Sequence, residues 1–272
     1  MTQRTATYFL SDCHLGANYI ESSRDHERCI VDWLNEIAAD AKALYLLGDI
    51  IDYWFEYRYV VPRGYTRFFG ALASLADAGV EITWIRGNHD IWLFDYLRDE
   101  IGLTVADGII ERSIDGHHFV LGHGDSIDDA GIFYKVMRSM FRCRFLQWLY
   151  AGIHPRWTVG FAHGWSASNR QRSRTDYKFT APDDPKGGTL PDTDGYVRFV
   201  RGYMAHHKPD GLPPTYFVFG HRHFLLDQKV GTDARLIVLG DAFSRMTYGR
   251  FADGIFTLAE MKGKMTKFKP KR

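Results

Sequence analysis

The fold of this chain is decided by the segment Ala43-Leu44-Tyr45-Leu46-Leu47-Gly48-Asp49-Ile50-Ile51-Asp52. Its apolar run stops abruptly at Gly48-Asp49, and its length, flanks and β-forming content predict a buried strand rather than a helix. A carboxylate at the end of a parallel strand has the position in which open α/β sheets usually place a functional site. Glycine before it lets another group or a ligand approach the backbone closely. Asp49 therefore either bridges two metal ions or caps the helix that follows.

Side chains able to bind a metal follow five predicted strands in the same way. They are Asp12 and His14 after residues 7–10, Asp49 after the central strand, Asn88 after 81–85, His123 after 117–121, and His221 and His223 after 216–219. In extended backbone, residues two apart point to the same side, so each i, i+2 pair is expected to present both ligands together. Cys13 would then point away from Asp12 and His14, as a small buried apolar residue.

These seven side chains are enough to hold two adjacent cations and to leave positions for water and substrate. Their mixture of imidazole, carboxylate and amide oxygen favours Mn, Fe, Zn or Co over Cu(I). Two such ions about 3.5–4 Å apart form a clamp for in-line displacement at phosphorus. The pattern therefore predicts a dinuclear metal-dependent hydrolase in which Asp49 is the shared ligand.

The remaining periodicity predicts a mixed α/β (α+β) sandwich, because strands alternate with helices first and hairpins follow. The predicted elements are helices over 24–39, 65–78, 92–101 and 194–206, a hairpin of 109–114 and 117–121 around Asp115-Gly116, and strands near 235–239 and 254–258. The Asp-Gly pair is a strong signal for a two-residue turn. His26 is expected on a polar helix face.

The composition narrows the class of protein. The 272 residues suit one large domain with an insertion. The 34 Lys and Arg nearly balance the 33 Asp and Glu, so the chain has no overall positive electrostatic field that would attract a nucleic acid. Three widely spaced cysteines indicate a reducing compartment rather than a disulfide framework. No signal peptide or membrane-spanning run is recognisable, so a soluble cytoplasmic protein is expected, without an obligate protein partner.

The interval 130–175 has a different composition from the rest of the chain. It contains eight Lys or Arg, no Asp or Glu, and many aromatic side chains. We interpret residues 128–178 as a helical lid inserted into the domain of residues 1–272. Such a lid offers apolar walls for acyl chains, and cations for a pyrophosphate or anionic headgroups. Its composition is also compatible with peripheral contact at the cytoplasmic face of the inner membrane. The alternative is a helix that faces the core, with solvated arginines.

The ordered blocks of the sequence resemble those of the calcineurin-like metallophosphoesterases. The blocks are Asp12-x-His14, Gly48-Asp49-x-x-Asp52, Gly87-Asn88-His89-Asp90, Gly122-His123 and Gly220-His221-x-His223. The resemblance implies a four-layer αββα sandwich and a first metal held by Asp12, His14, Asp49 and His223. It implies a second metal held by Asp49, Asn88, His123 and His221. Asp52 would orient a ligand.

The same resemblance suggests a catalytic role for His89. In many members of the family, the histidine of this block stabilises or protonates the leaving group, and Asp90 would orient it here. The alternative is that His89 makes only an electrostatic contact with phosphate.

The flanks of the blocks resemble one group of that family, the UDP-2,3-diacylglucosamine hydrolases of lipid A synthesis. These enzymes cut the pyrophosphate of a UDP-linked acylated glucosamine to UMP and 2,3-diacylglucosamine 1-phosphate, with Mn²⁺ as the first expectation for the metal. Better-known members carry Arg where this chain has His89. Expected substrate contacts are Asn88, His89 and His221 at the metals, and Ser166, Asn169, Arg170 and Arg172 on the lid.

Other interpretations of the same residues remain open. Tyr53, Trp54 and Phe55 either stack on uracil or belong to the core. A soluble phosphodiesterase or nucleotide phosphatase would use the same ligands on a different substrate. A non-catalytic scaffold is the third possibility, although such proteins typically lose ligands.

Overall fold

A computed structural model of the protein describes residues 4–127, 132–155, 157, 188–207 and 215–262. The strands are β1 Ala6–Leu10, β2 Ala41–Leu46, β3 Glu81–Ile85, β4 Thr104–Ala106, β5 Ile110–Ile114, β6 His117–Leu121, β7 Thr215–Phe219, β8 Leu225–Val230, β9 Ala234–Leu239, β10 Thr247–Ala252 and β11 Ile255–Glu260. The helices are α1 Ser23–Ile37, α2 Thr66–Asp77, α3 Tyr96–Ile101, α4 Ile132–Arg142, α5 Arg144–Ala151 and α6 Gly195–His206.

Two mixed sheets carry these strands. The first has the order β11-β10-β1-β2-β3-β4, in which β1 to β4 are parallel and β10 runs antiparallel to β1. The second has the order β5-β6-β7-β9-β8, in which β6, β7 and β9 are parallel. The predicted hairpin is confirmed, and its turn residues Asp115 and Gly116 both have positive φ, as a type I′ turn requires.

Three apolar clusters define four layers. One cluster packs α1, α2 and α3 against the outer face of the first sheet, and another packs α6 against the outer face of the second. A third lies between the sheets, where Phe9 stacks on Tyr45 and Phe119 at ring-centroid distances of 5.5 and 5.7 Å. The predicted αββα sandwich is therefore confirmed.

Two helices show why the sequence places them where it does. The hydroxyl of Ser22 accepts a hydrogen bond from the backbone N–H of Asp25, which caps α1. The carboxylate of Asp194 accepts from the N–H of Tyr196 and caps α6 in the same way. Each helix buries one apolar stripe against its own sheet.

Several local expectations need correction. Strands β4, β8 and β10 were not predicted, because β4 is short and β8 and β10 carry charged side chains such as Asp227 and Arg250. Trp54 and Phe55 are fully buried, which favours the core over stacking on uracil. His26 is also buried rather than on a polar face, and its Nε2 lies 2.8 Å from the carbonyl oxygen of Cys13. Cys13 is buried as expected.

Helices α4 and α5 lie between β6 and α6 in the chain, where the lid is predicted. Among the residues described, no helix is both long enough and apolar enough to cross a bilayer.

Candidate metal centre

The predicted ligands meet where the two sheets place their strand ends side by side. β1, β2 and β3 are neighbours in the first sheet, and β6 and β7 are neighbours in the second. All run parallel within their sheets, so the loops after them leave from one edge. The structure brings the seven predicted side chains together there, from positions as far apart in the chain as Asp12 and His223.

The backbone conformation at the ligands differs from the extended form that we expected. Asp12, His14, Asp49, His221 and His223 all have φ between 46° and 71°, which is the left-handed region. Strand β1 ends at Leu10, so Asp12 and His14 converge through loop conformation rather than through the pleat of a strand. Non-glycine residues rarely adopt this region, and such strain clusters at functional sites.

Glycines in the blocks make the close approach of these loops possible. A Cβ on Gly87 would overlap the Asp49 carboxylate, and a Cβ on Gly220 would overlap the Asp12 carboxylate. Gly48 has φ +83°, and a Cβ there would lie 2.7 Å from the Cα of Gly87. Glycine is required at Gly87 and Gly220 because each lets a loop pass directly over a carboxylate, and at Gly48 because two ligand loops touch there.

Each of the two aspartates among the predicted ligands uses one oxygen to brace a neighbouring loop. Oδ2 of Asp12 accepts a hydrogen bond of 2.9 Å from the N–H of His221, and Oδ1 of Asp49 accepts one of 2.8 Å from the N–H of His89. The other oxygen of each carboxylate faces imidazole nitrogens. The side chains are therefore fixed by the backbone of other ligand loops.

The first cluster consists of Asp12, His14 and His223, whose ligand atoms all lie within 4.8 Å of one another. Nε2 of His223 is 3.0 Å from Oδ1 of Asp12 and 3.4 Å from Nε2 of His14. Nε2 of His14 is 3.8 Å from Oδ1 of Asp12 and also 3.8 Å from Oδ2 of Asp49.

The second cluster consists of Asp49, His123 and His221, with Asn88 beside it. Nε2 of His123 is 3.3 Å from Oδ2 of Asp49 and 3.1 Å from Oδ1 of Asn88. The same Oδ2 atom of Asp49 therefore faces a histidine of each cluster, as a bridging oxygen would.

The hydrogen bonds of the imidazole rings suit metal binding. Nδ1 of His123 donates to the carbonyl oxygen of Leu47 at 2.9 Å, and Nδ1 of His14 lies 3.1 Å from Oδ1 of Asp52. A proton held on Nδ1 leaves the Nε2 lone pair directed at the cluster, which is how metal-binding histidines are usually oriented. These His and Asp groups are able to bind two metal ions.

The partners of His89 and Asp90 correct one expectation. Nδ1 of His89 is 2.9 Å from the carbonyl oxygen of Asp52 and 3.4 Å from its Oδ1, so Asp52 orients this ring. Asp90 instead accepts from the backbone N–H of Gly87 and Ile50 and from Nε1 of Trp84, at 2.7, 2.8 and 3.1 Å. Its carboxylate thus ties the loop after β2 to the loop after β3.

Charge coupling shifts the pKa values of the buried groups. Burial pushes the pKa of Asp12 upward, but the nearby His223 outweighs it and the pKa falls to about 2. In the Asp49–His123 pair, burial disfavours the charged form of each group, but the attraction between the two charges outweighs burial. The pKa of Asp49 is therefore held well below its ordinary range, and the pKa of His123 well above. Burial, followed by the charge of Asp49, raises the pKa of Asp90 to about 6.

Four predicted substrate contacts, Ser166, Asn169, Arg170 and Arg172, lie outside the described residues. Sequence reasoning also missed a contributor, because the ring of Phe243 packs against both His14 and His223. A signal existed, since Leu239-Gly240-Asp241 repeats the Leu47-Gly48-Asp49 pattern at the end of another strand.

The sandwich and its edge of clustered Asp, His and Asn side chains define a metal-dependent hydrolase of phosphoester bonds. The chain belongs to the calcineurin-like phosphoesterase family, whose sequence profile matches residues 6–225.

Curated relatives share a narrower name. A UDP-2,3-diacylglucosamine hydrolase of Porphyromonas gingivalis is 40% identical over 243 residues, which cover 88% of this chain and 90% of that protein. A protein with the same name from Proteus mirabilis is 29% identical, and the match covers 80% of this chain and 91% of that protein. Another from Vibrio vulnificus is 31% identical, and the match covers 54% of this chain and 58% of that protein.

Proposed function

We propose that this protein hydrolyses the pyrophosphate of UDP-2,3-diacylglucosamine, giving UMP and 2,3-diacylglucosamine 1-phosphate, in lipid A synthesis. One observation carries the proposal: seven candidate metal ligands, from the ends of five strands, lie together at one edge, and Oδ2 of Asp49 is 3.8 Å from Nε2 of His14 and 3.3 Å from Nε2 of His123. The similarity to the Porphyromonas gingivalis hydrolase, over most of both chains, supports this choice of substrate.

The donor set supports two divalent cations, with Mn²⁺ as the first choice and Fe, Zn or Co as alternatives. Asp12, His14, Asp49 and His223 would hold one ion, and Asp49, Asn88, His123 and His221 the other. When bound, the ions supply Lewis-acid stabilisation of the phosphoryl oxygens and lower the pKa of water at the site. Asp52 holds the ring of His14 in the orientation that this requires.

His89 is proposed to contact the substrate phosphate beside Asn88 and His221. Its Nδ1 donates to the carbonyl oxygen of Asp52, so in the neutral ring the proton is on Nδ1. Protonation of a leaving group from Nε2 therefore needs the imidazolium form, whereas a contact to phosphate needs only a charged or polar ring. Asp90 acts on the reaction by positioning the Asp49 and Asn88 loops.

In this proposal, residues 1–272 form one domain, and residues 128–178 form its inserted lid over the lipid part of the substrate. The described part of that segment exposes large apolar side chains, with Phe145 at 62%, Trp148 at 70% and Trp157 at 71% exposed. Tryptophan beside arginine suits the boundary between lipid headgroups and acyl chains. We propose that the protein works in the cytoplasm with this surface in peripheral contact with the inner membrane.

The direct test supplies UDP-2,3-diacylglucosamine with Mn²⁺ and measures UMP. The expected result is UMP formation that is abolished by a chelator and restored by Mn²⁺. A simple water-soluble phosphodiester is assayed in parallel. Turnover of that diester without formation of UMP would replace the lipid assignment by a soluble phosphodiesterase or nucleotide phosphatase.

A further inference from the structure

The loop of residues 240–246 crosses from one sheet to the other beside the first metal cluster. It leaves β9, which is paired in parallel with β7, the strand that leads to His221 and His223. It enters β10, which is antiparallel to β1, the strand that leads to Asp12 and His14. The loop therefore lies at the junction of the two strands whose following residues form the Asp12–His14–His223 cluster.

The carboxylate of Asp241 holds this loop in one shape. The side chain is buried, and its Oδ1 accepts from the backbone N–H of Phe243 at 3.2 Å and of Arg245 at 2.9 Å. The same carboxylate binds the hydroxyl of Ser244 at 2.7 Å. Ala242 N–H donates to the carbonyl oxygen of Asp12 at 3.1 Å, so the loop is tied directly to a predicted metal ligand.

Phe243 is the side chain that this shape directs at the cluster. Its ring centroid is 5.5 Å from that of His14 and 5.3 Å from that of His223, with interplanar angles of 83° and 80°. The residue is 6% exposed and belongs to a small apolar cluster with Ala17 and Ile20. Edge-to-face contacts of this kind constrain both ring planes, and the apolar ring excludes water from that side.

We propose that Phe243, held by Asp241, is a positioning residue for the metal bound by Asp12, His14 and His223. The ring fixes the orientation in which Nε2 of His14 and Nε2 of His223 lie 3.4 Å apart. This inference rests on the two-metal assignment of the proposed function and is independent of the organic substrate. It predicts a defect in the site of Asp12, His14 and His223, because the ring of Phe243 packs directly on two of these three side chains.

The test titrates the metal-free protein with Mn²⁺ and records both binding isotherms and the electron paramagnetic resonance spectrum. The wild type is expected to bind two ions and to show a coupled pair. Phe243→Ala should weaken one of the two binding events by about 10- to 100-fold, the range found when groups that support metal ligands are removed. Its spectrum should then be that of an isolated ion at Mn²⁺ concentrations that saturate the wild type.

Two further variants separate positioning from general loss of stability. Phe243→Leu keeps apolar volume without the flat ring, so it should show the same defect as Phe243→Ala and replaces that variant if it does not fold. Phe243→Tyr keeps the ring and should retain wild-type affinity within about threefold. Phe199→Ala removes a ring that packs near Phe217 and Phe219 on the far side of the second sheet, and it should bind both ions normally.

Each outcome bears on a different claim. Wild-type protein that binds fewer than two ions would overturn the proposed function itself. Two normal sites in both Phe243→Ala and Phe243→Leu, or an equal loss in Phe199→Ala, would overturn the positioning role while leaving the proposed function intact.

Discussion

The ligand edge and the α4–α5 helical pair hold their side chains by different means. At the ligand edge, carboxylates such as Asp12 and Asp49 are buried and fixed by backbone N–H groups of other loops, on strained left-handed backbone. On α5, by contrast, Phe145 and Trp148 are mostly exposed and stack on each other at 6.1 Å. One region is rigid and polar, and the other presents an apolar surface.

The helical pair is attached to the body mainly by side chains. Arg138 forms an ion pair of 2.7 Å with Asp125, two residues after His123. Nε1 of Trp92 donates to the carbonyl oxygen of Phe141 at 2.9 Å, and the ring of Trp92 stacks on Tyr150 at 5.1 Å. Among the residues that the structure describes, these contacts all use a side chain, so this attachment is expected to open more readily than the ligand edge.

This difference matches the two tasks of the proposed reaction. Displacement at phosphorus depends on positions that are fixed to a fraction of an ångström, because a small displacement of a ligand costs much of the rate. Acyl chains are flexible and are recognised by apolar area, which an adaptable surface supplies. Substitutions in the two regions should therefore differ in both the size and the kind of effect.

The largest effect is expected from Asp49→Asn. The substitution keeps the size of the side chain but removes the charge that faces His14 and His123. Metal ions contribute several kcal/mol to the transition state, so kcat should fall about a thousandfold or more. Metal content by mass spectrometry and kcat with Mn²⁺ are the measurements. Asp115→Asn, in the distant hairpin turn, is the control, and wild-type metal content and rate in Asp49→Asn would contradict the bridging role.

A smaller effect is expected from Asp52→Asn, because Asp52 acts through His14 and His89. Loss of such a supporting carboxylate should lower metal affinity or activity by about 10- to 100-fold. The measurement is Mn²⁺ affinity by titration, together with kcat at saturating metal. Recovery of full activity at high Mn²⁺ would mean that Asp52 supports binding alone and that the orientation of His89 does not depend on it.

The sequence was informative at the ligand edge because the signals there are local. An apolar run that ends in Gly-Asp marks a buried strand and its loop, and the same logic finds Asn88 and His123. The sequence did not reveal the left-handed backbone of Asp12 and His14. An extended strand also places residues two apart on the same side, so their spacing does not distinguish the two backbone conformations.

Contacts between distant segments were less predictable. His26 is expected on a polar helix face, yet it is buried, and its Nε2 lies 2.8 Å from the carbonyl oxygen of Cys13. Burial lowers the pKa of His26, which favours a neutral ring at this position. The Leu239-Gly240-Asp241 pattern marks this loop as one that follows a buried strand, but only the fold shows that Phe243 packs against His14 and His223.

On the helical pair, Trp148→Ala should affect lipid recognition without touching the chemistry. Trp148 is 70% exposed, so its removal costs little stability, but it takes away apolar area for an acyl chain or a bilayer. KM for the acylated substrate, and the dissociation constant for vesicles that contain anionic lipid, should rise about tenfold. Turnover of a water-soluble phosphodiester should stay unchanged.

The matched control for Trp148 is Ile255→Ala, since Ile255 is 62% exposed at the start of β11. It should change neither lipid binding nor turnover. If Trp148→Ala lowered hydrolysis of the acylated substrate and of the water-soluble phosphodiester equally, the helical pair would support the ligand edge itself. The contrast between the two regions would then not hold.

The smallest effect is expected from Tyr150→Phe, which tests how the pair is attached. The Tyr150 hydroxyl is 3.1 Å from that of Tyr53, while its ring packs on Trp92 and lies 4.9 Å from Phe55. Phenylalanine keeps the ring contacts and removes one hydrogen bond, worth about 1 kcal/mol. Amide hydrogen exchange of α4 and α5 should therefore speed up about fivefold if the helices exchange by local opening.

A double-mutant cycle with Tyr53→Phe isolates the hydroxyl pair, because the second substitution should add little once the first is made. Fully additive effects would show that the two hydroxyl groups are not coupled, and that the helical pair is held by its ring contacts and ion pairs without them.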